Sequence, residues 1–243
     1  MKVVAIIQAR MGSTRLPGKV LKKVLDKPLL EYQIERVKRS KLIDEIVIAT
    51  TTNEADELII DFCERLSISY YRGSENDVLS RYYEAANIHK ADVVVRLTSD
   101  CPVIDPVVID TNIQYYLDNQ TDFDYVSNTH KRTFPRGFDT EVFSFDALEA
   151  AFKKAELASE KEHVTPYIYQ NPSQFRIGHV FGEDDHSDLR LTVDTKEDFL
   201  LIEKIIDVLY KNNPNFTYDD IVKLLNENKD WLKINAEIKQ KKV

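Results

Sequence analysis

The chain has 243 residues, 43% of them apolar, enough to bury a full core in one large domain. Its formal net charge of -8 excludes broad electrostatic binding to DNA, RNA or an acidic membrane surface, so any anion must be gripped locally. The two cysteines, Cys63 and Cys101, form no CxxC pair, which argues against a disulfide framework or zinc site and for a reducing cytoplasm.

The first element in chain order is VVAIIQ at 3–8, a run rich in β-branched residues with the pattern of a strand covered on both faces. No charged and then apolar leader precedes it, so the mature protein is expected to begin at Met1. After a polar loop, Leu30, Ile34 and Val37 recur at helical spacing. The alternation then repeats. EIVIAT at 45–50 reads as a strand, and Ala55, Leu58, Ile59, Phe62 and Leu66 as the apolar stripe of a helix. Residues 68–71 form a short strand, Val78, Tyr82 and Ala85 mark a helix, and ADVVVRL at 91–97 is again a buried strand. Strands alternating with helices of this length imply an α/β fold with a mostly parallel, doubly wound sheet in three layers.

From about residue 122 the alternation weakens, with strands expected at 125–128, 140–144 and 175–180. Residues 122–185 therefore read as a β-containing elaboration within a single domain of 1–243. Helical spacing returns at Phe199, Ile202, Ile206 and Leu209, and at Ile221, Leu224 and Leu225, serving either the core or a homodimer. The lysine-rich tail at 237–243 is expected to fray. Nowhere does an apolar run approach the roughly 20 residues of a membrane span.

Residues 9–19, ARMGSTRLPGK, bring Arg10, Arg15, Lys19 and two glycines to the carboxyl end of the first strand, where open α/β sheets bind ligands. Glycine lets backbone N–H groups approach phosphate oxygens, and three cations match the charge of a triphosphate. The loop is not a Walker A motif, and no GxGxxG occurs, so kinase, GTPase and dehydrogenase readings lose ground. The segment resembles the nucleotide-binding loop of the cytidylyltransferases that make CMP-sugars, Ala-Arg-x-x-Ser-x-Arg-Leu-Pro-x-Lys, through Ala9, Arg10, Ser13, Arg15, Leu16, Pro17, Gly18 and Lys19. Over residues 2–205 the chain is similar to the cytidylyltransferase group of spore coat polysaccharide biosynthesis protein F. That likeness is carried also by Arg72-Gly-Ser, Asp77-Val-Leu-x-Arg81, Thr98-Ser-Asp-Cys-Pro, Pro135-x-Gly-x-Asp-x-Glu141 and Glu162-His-Val-Thr-Pro166. The resemblance implies a nucleotide-diphospho-sugar transferase-like fold, with CTP held by Ala9, Arg10, Met11, Gly12, Ser13, Arg15 and Lys19. Arg72, Ser74 and Arg81 occupy the stretch where related enzymes approach the base and ribose.

Asp100 follows the strand at 91–97 and so sits at the same sheet edge as the basic loop, while Asp194 follows the strand-like LTV at 191–193 and precedes a helix. Two carboxylates suit Mg²⁺, although an aspartate before a helix can equally be an N-cap. The resemblance favours metal binding, since CMP-sugar synthetases carry one metal-binding aspartate at the corresponding strand end and another in a Val-Asp-Thr-x-Glu-Asp segment, matched by Val193 to Asp198.

The implied reaction is attack of a sugar oxygen on the α-phosphorus of CTP, with Arg10, Arg15, Lys19 and Asp100 as its catalytic residues. Arg136, Asp139, Glu141 and His163, with Arg132, are the expected acceptor contacts, Arg136 serving a carboxylate if the acceptor is a sugar acid. Glu162-His163-Val164-Thr165 departs from the His-x-Gly-x-Tyr of the keto-deoxyoctulosonate synthetases. Two rival readings stand beside this one: a glycosyltransferase holding a nucleotide-sugar through Asp122-Phe123-Asp124, and a non-catalytic nucleotide-binding protein.

Overall fold

The computed structural model describes residues 1–240; the last three residues of the lysine-rich tail lie outside the described residues. β1 (Val3–Gln8) leads through the basic loop and one 3-10 turn (Lys19–Leu21) into a small hairpin, β2 (Lys23–Val24) and β3 (Lys27–Pro28). Helix α1 (Leu29–Val37), β4 (Glu45–Thr51), α2 (Glu57–Leu66), β5 (Ser69–Gly73), α3 (Val78–Ile88) and β6 (Val93–Thr98) complete the regular half. α4 (Pro106–Asp118) precedes β7 (Tyr125–Ser127) and β8 (Glu141–Ser144). Then come α5 (Phe145–Lys154), α6 (Ala158–His163), α7 (Pro166–Tyr169), β9 (Ile177–His179), α8 (Lys196–Asn212) and α9 (Tyr218–Glu227).

Seven strands form one sheet in the order β5-β4-β1-β6-β8-β7-β9, in which β8 alone runs antiparallel to its neighbours β6 and β7. Along β1, Val3, Ala5 and Ile7 join the core under α1, α2, α4, α8 and α9, while Val4 and Ile6 join a second core under α3 and α5. Burial on both faces is why this strand reads as an unbroken apolar run. The mostly parallel three-layer sheet expected from the sequence is the observed architecture.

The chain builds outward from β1 through β4 to β5 and then returns to lay β6 on the other side of β1. That reversal opens a crevice at the carboxyl ends of β1 and β6, the place where doubly wound sheets receive ligands. The basic loop and Asp100 flank it.

Several local expectations change. Leu58 is 54% exposed and α2 instead buries Ile59, Ile60, Phe62 and Cys63, because the apolar run is wider than one helical face. Residues 191–193 join no strand; they run extended between two hydrogen bonds, Leu191 N–H to the Arg136 carbonyl (2.7 Å) and Val193 N–H to the Asp100 carbonyl (2.8 Å). α4, which the alternation leaves unassigned, starts at an Asp105 N-cap with Pro106 in its first turn. The C-terminal stripe of Ile202, Ile206, Ile221 and Leu225 lies in the chain's own core. In place of a fray at 237–240, Gln240 accepts a 2.6 Å hydrogen bond from Arg190. Among the described residues no helix is long and apolar enough to cross a membrane.

Candidate active site

The basic loop is shaped by bonds that do not use its cations. Ala9 N–H continues the β1 ladder to the Ala49 carbonyl at 3.1 Å, and Met11 N–H then donates to the buried Asp56 carboxylate at 2.7 Å. Asp56 also accepts from the Thr51 N–H and hydroxyl, so β4 fixes the place where the loop turns. The Ser13 and Gly18 N–H groups both converge on the Met11 carbonyl. Gly18 has φ +66°, where a side chain would be strained, and it starts the 3-10 turn that carries Lys19. Buried Leu16 and Val20 anchor the loop, leaving Arg15 and Lys19 directed at the crevice.

There the ammonium of Lys19 donates to Asp194 at 2.9 Å and to the Val193 carbonyl at 2.8 Å, and lies 3.4 Å from Asp100. Arg15 meets the other oxygen of Asp194 at 2.9 Å, and Arg190 approaches that same oxygen at 2.9 Å. Burial disfavours the charge of both Lys19 and Asp100, but their mutual attraction prevails: Lys19 is held above its ordinary value, and Asp100, with help from the Thr98 hydroxyl, is held down at about 2. Both are therefore ionised at neutral pH.

The N-cap alternative for Asp194 does not describe this geometry. Thr195 caps α8, its hydroxyl accepting from Asp198 N–H, while the Asp198 carboxylate accepts from the N–H groups of Asp194 and Thr195. Arg190 clamps Asp198 through two bonds of 2.8 and 3.0 Å. Asp194 is thus held from behind and presents its carboxylate to the crevice. Among the described residues no three His, Cys, Asp or Glu side chains gather as metal ligands. The pair of hard carboxylates fits Mg²⁺, which takes one or two protein carboxylates and completes its shell with phosphate and water.

Beside the basic loop the crevice holds a cavity of about 230 Å³ whose wall includes Ala9, Arg10, Ser13, Arg15, Lys19, Arg81, Asp100, His163 and Asp194. Arg81, which by its helical position could have been a surface cation, is only 2% exposed; burial lowers its pKa, Nη1 donates to the Ser74 carbonyl at 3.0 Å, and among the described residues Nε has no partner. Arg72, Ser74, Met11 and Gly12 do not line this cavity. Arg72 turns to Glu57 at 2.7 Å, and the Ser74 hydroxyl accepts from Asp77 N–H at 3.1 Å.

A second cavity of about 660 Å³ adjoins the first, the two sharing Gln8, Arg15, Thr98, Asp100, Glu162, His163 and Asp194. Arg132, Arg136, Asp139 and Glu141 all lie on its wall. Glu141 is buried and accepts from Arg96, from Tyr125 at 2.5 Å and from Thr165 at 2.7 Å. Burial opposes its charge, yet these partners, Arg96 first, hold its pKa below the usual range. Arg132 pairs with Asp139. His163 stands where the cavities meet, its pKa lowered by burial, beside a γ-turn at Val164 (φ 71°, ψ −56°) closed by Thr165 N–H on the His163 carbonyl at 2.8 Å. A β-branched residue in that conformation is strained by about 1–3 kcal/mol, a cost met by complete burial of Val164.

Sequence reasoning passed over Gln8, Asp56, Arg96, His130, Tyr169 and Arg190. Arg96 carried a legible signal, a lone cation inside an apolar strand, which requires a buried partner. His130 and Arg190 carried none.

Asp122 and Asp124 line neither cavity, and Arg176 holds Asp124 by an ion pair at 2.8 Å, which removes the basis of the glycosyltransferase alternative. A cationic loop facing two aspartates, with a roomy polar chamber alongside, suits movement of a nucleotidyl group between two bound molecules. Comparison with known proteins agrees, and the chain is a nucleotidyltransferase. The family model described as Cytidylyltransferase matches residues 4–242, and the chain belongs to that family. It is 35% identical to the spore coat polysaccharide biosynthesis protein SpsF of Bacillus subtilis over 94% of this chain and 95% of that one. Identity to the 3-deoxy-manno-octulosonate cytidylyltransferase of Chlamydia trachomatis is 30%, over 72% of this chain and 71% of the relative. A cytidylyltransferase structure from Leptospira borgpetersenii superposes with a TM-score of 0.92 at 36% identity, covering 99% of this chain and 100% of that one.

Proposed function

We propose that the enzyme transfers the cytidylyl group of CTP to a sugar or sugar acid, releasing pyrophosphate and a CMP-sugar, or a CDP-sugar if the nucleophile is a phosphate, for surface polysaccharide or glycan synthesis. The observation that carries this reading is the adjoining of the two cavities across Asp100 and Asp194, the two carboxylates that Lys19 contacts from the smaller cavity. The names of the SpsF and 3-deoxy-manno-octulosonate relatives support a sugar in the larger chamber.

In this reaction an acceptor oxygen bonds to the α-phosphorus as the α-phosphorus to bridging-oxygen bond breaks, pyrophosphate leaves with the bonding electrons, and a hydroxyl nucleophile gives up its proton to water. Arg15 and Lys19 turn from Asp194 to the β- and γ-phosphates, and Arg10, which has only a 3.4 Å contact with Glu75, turns to the α-phosphate. Their charges offset what builds up on the leaving group, and the chamber wall holds the nucleophile in line. Asp100 and Asp194 are the residues that would hold Mg²⁺, which when bound supplies charge neutralisation at the α-phosphate. Arg81, whose Nε has no partner among the described residues, is a nucleotide contact on the wall of the smaller cavity, and Arg136 is the cation for an acidic acceptor. Residues 122–185 form the acceptor part of a single domain. The two cysteines, free and buried, support a cytoplasmic setting.

The test is pyrophosphate release with each of the four nucleoside triphosphates, Mg²⁺ and a sugar panel that includes 3-deoxy-manno-octulosonate. Release is expected with CTP and only when an acceptor is present. Turnover that requires a preformed nucleotide-sugar, without pyrophosphate, contradicts the reading, as does CTP binding with no turnover on any acceptor.

A further inference from the structure

Tyr125 is fully buried behind the larger cavity, between two residues that line it, Glu141 and His130. Its hydroxyl lies 2.5 Å from a Glu141 oxygen and 3.0 Å from Nε2 of His130. A phenol has one proton to give, and a carboxylate only accepts. Arg96 pairs with Glu141 and keeps it ionised, so the Tyr125 proton is committed to Glu141. The phenolic oxygen can then only accept from His130, which places the imidazole proton on Nε2 and leaves Nδ1 as a bare acceptor. Burial lowers the His130 pKa, consistent with a neutral ring.

The same ring lines the larger cavity and is open to it. Tyr169, also on that wall, packs against it with centroids 4.1 Å apart, so the ring is held on one side by an aromatic face and at one nitrogen by Tyr125. Four charged side chains of that wall are already committed in pairs, Glu141 to Arg96 and Asp139 to Arg132. A neutral acceptor of fixed tautomer reads a group that donates a proton, and on a sugar that group is a hydroxyl.

We propose that His130 is a specificity-determining residue that accepts a hydrogen bond through Nδ1 from a hydroxyl of the acceptor sugar, its tautomer set by the Arg96, Glu141 and Tyr125 chain. The inference rests on the reading of the larger cavity as the acceptor site.

Two measurements test it. Nitrogen-15 NMR of the imidazole in the wild-type protein is expected to show His130 as the Nε2–H tautomer, with that preference lost in Tyr125→Phe. In steady-state assays, on the first sugar of the panel to give pyrophosphate with wild type, His130→Phe is expected to raise the acceptor KM about tenfold, the loss of one neutral hydrogen bond, with CTP affinity unchanged. His130→Asn, whose Oδ1 falls where Nδ1 stood, is expected to recover most of that loss. An Nδ1–H tautomer in wild type, an unchanged acceptor KM in His130→Phe, or equal losses in the Phe and Asn variants overturns the proposal while leaving the cytidylyl transfer intact. A wild-type protein inactive on every sugar overturns the functional reading and the acceptor role together.

Discussion

On the proposed nucleotide side of the crevice, Arg15 and Lys19 rest on Asp194 and Asp100, and among the described residues Arg10 has only an exposed contact with Glu75. On the acceptor side, Arg96 and Arg132 are each tied to a carboxylate of their own wall, Glu141 or Asp139. On the proposed function the first arrangement is provisional: its cations neutralise the aspartates until a polyanion and a divalent ion replace both halves of each pair. The second is built in, and it leaves Arg136 and the neutral His130 to meet the guest. A triphosphate is recognised mainly by charge and a sugar mainly by placed donors and acceptors, so the two walls differ as their guests do.

The largest expected effect lies on the built-in side. Arg96→Met strands the buried Glu141 charge and is expected to cost about 3–5 kcal/mol in urea denaturation at pH 7. In the wild type, burial works against the Glu141 charge but Arg96 and its hydroxyl partners depress the folded pKa. This stabilisation is therefore complete above the unfolded value of about 4.3 and is lost as pH falls through the folded value. In the variant the folded pKa rises instead, so the deficit is expected to shrink between pH 7 and pH 4; a gap independent of pH would mean that Glu141 is not the partner that matters.

Lys19→Met, on the provisional side, is expected to lower kcat by about 10² to 10³ through lost stabilisation of the leaving pyrophosphate. Stability should change less than in Arg96→Met, because Asp194 stays paired with Arg15 and Arg190, and Asp100, although it loses its cation, is 21% exposed to water and keeps the Thr98 hydroxyl. A drop in stability as large as that of Arg96→Met would erase the contrast between the walls. The smallest effect belongs to the helix behind the aspartates. Thr195→Ala removes the α8 cap and is expected to cost about 1 kcal/mol in the same denaturation.

How much of this was legible in the sequence depends on whether a feature is local. The basic loop and Asp100 could be read because each directly follows its own strand, β1 or β6, and those strands could be read because burial on both faces leaves an unbroken apolar run. Arg72 and Arg81 have the same charge nine residues apart, but only packing decides that one turns to Glu57 while the other is buried along the smaller cavity. Arg190 acquires its role only once residues 191–193 are hydrogen-bonded between Arg136 and Asp100, contacts that span more than fifty residues. The β2 to β3 hairpin hid for another reason. Its turn is Leu25-Asp26, both at positive φ, where the usual signal is Asn-Gly. By contrast α4 was available from its Asp105-Pro106 start, a capping pattern that apolar periodicity alone overlooks.

The central claim is that Asp100 works with Lys19 and Asp194 as the floor on which a nucleotidyl group changes hands. Pyrophosphate release by Asp100→Asn, measured with CTP, Mg²⁺ and an acceptor active with wild type, tests it most directly. A fall of about 100-fold or more, with near-ultraviolet circular dichroism and melting temperature close to those of wild type, is the expected result. Undiminished turnover in a folded Asp100→Asn protein would contradict the account.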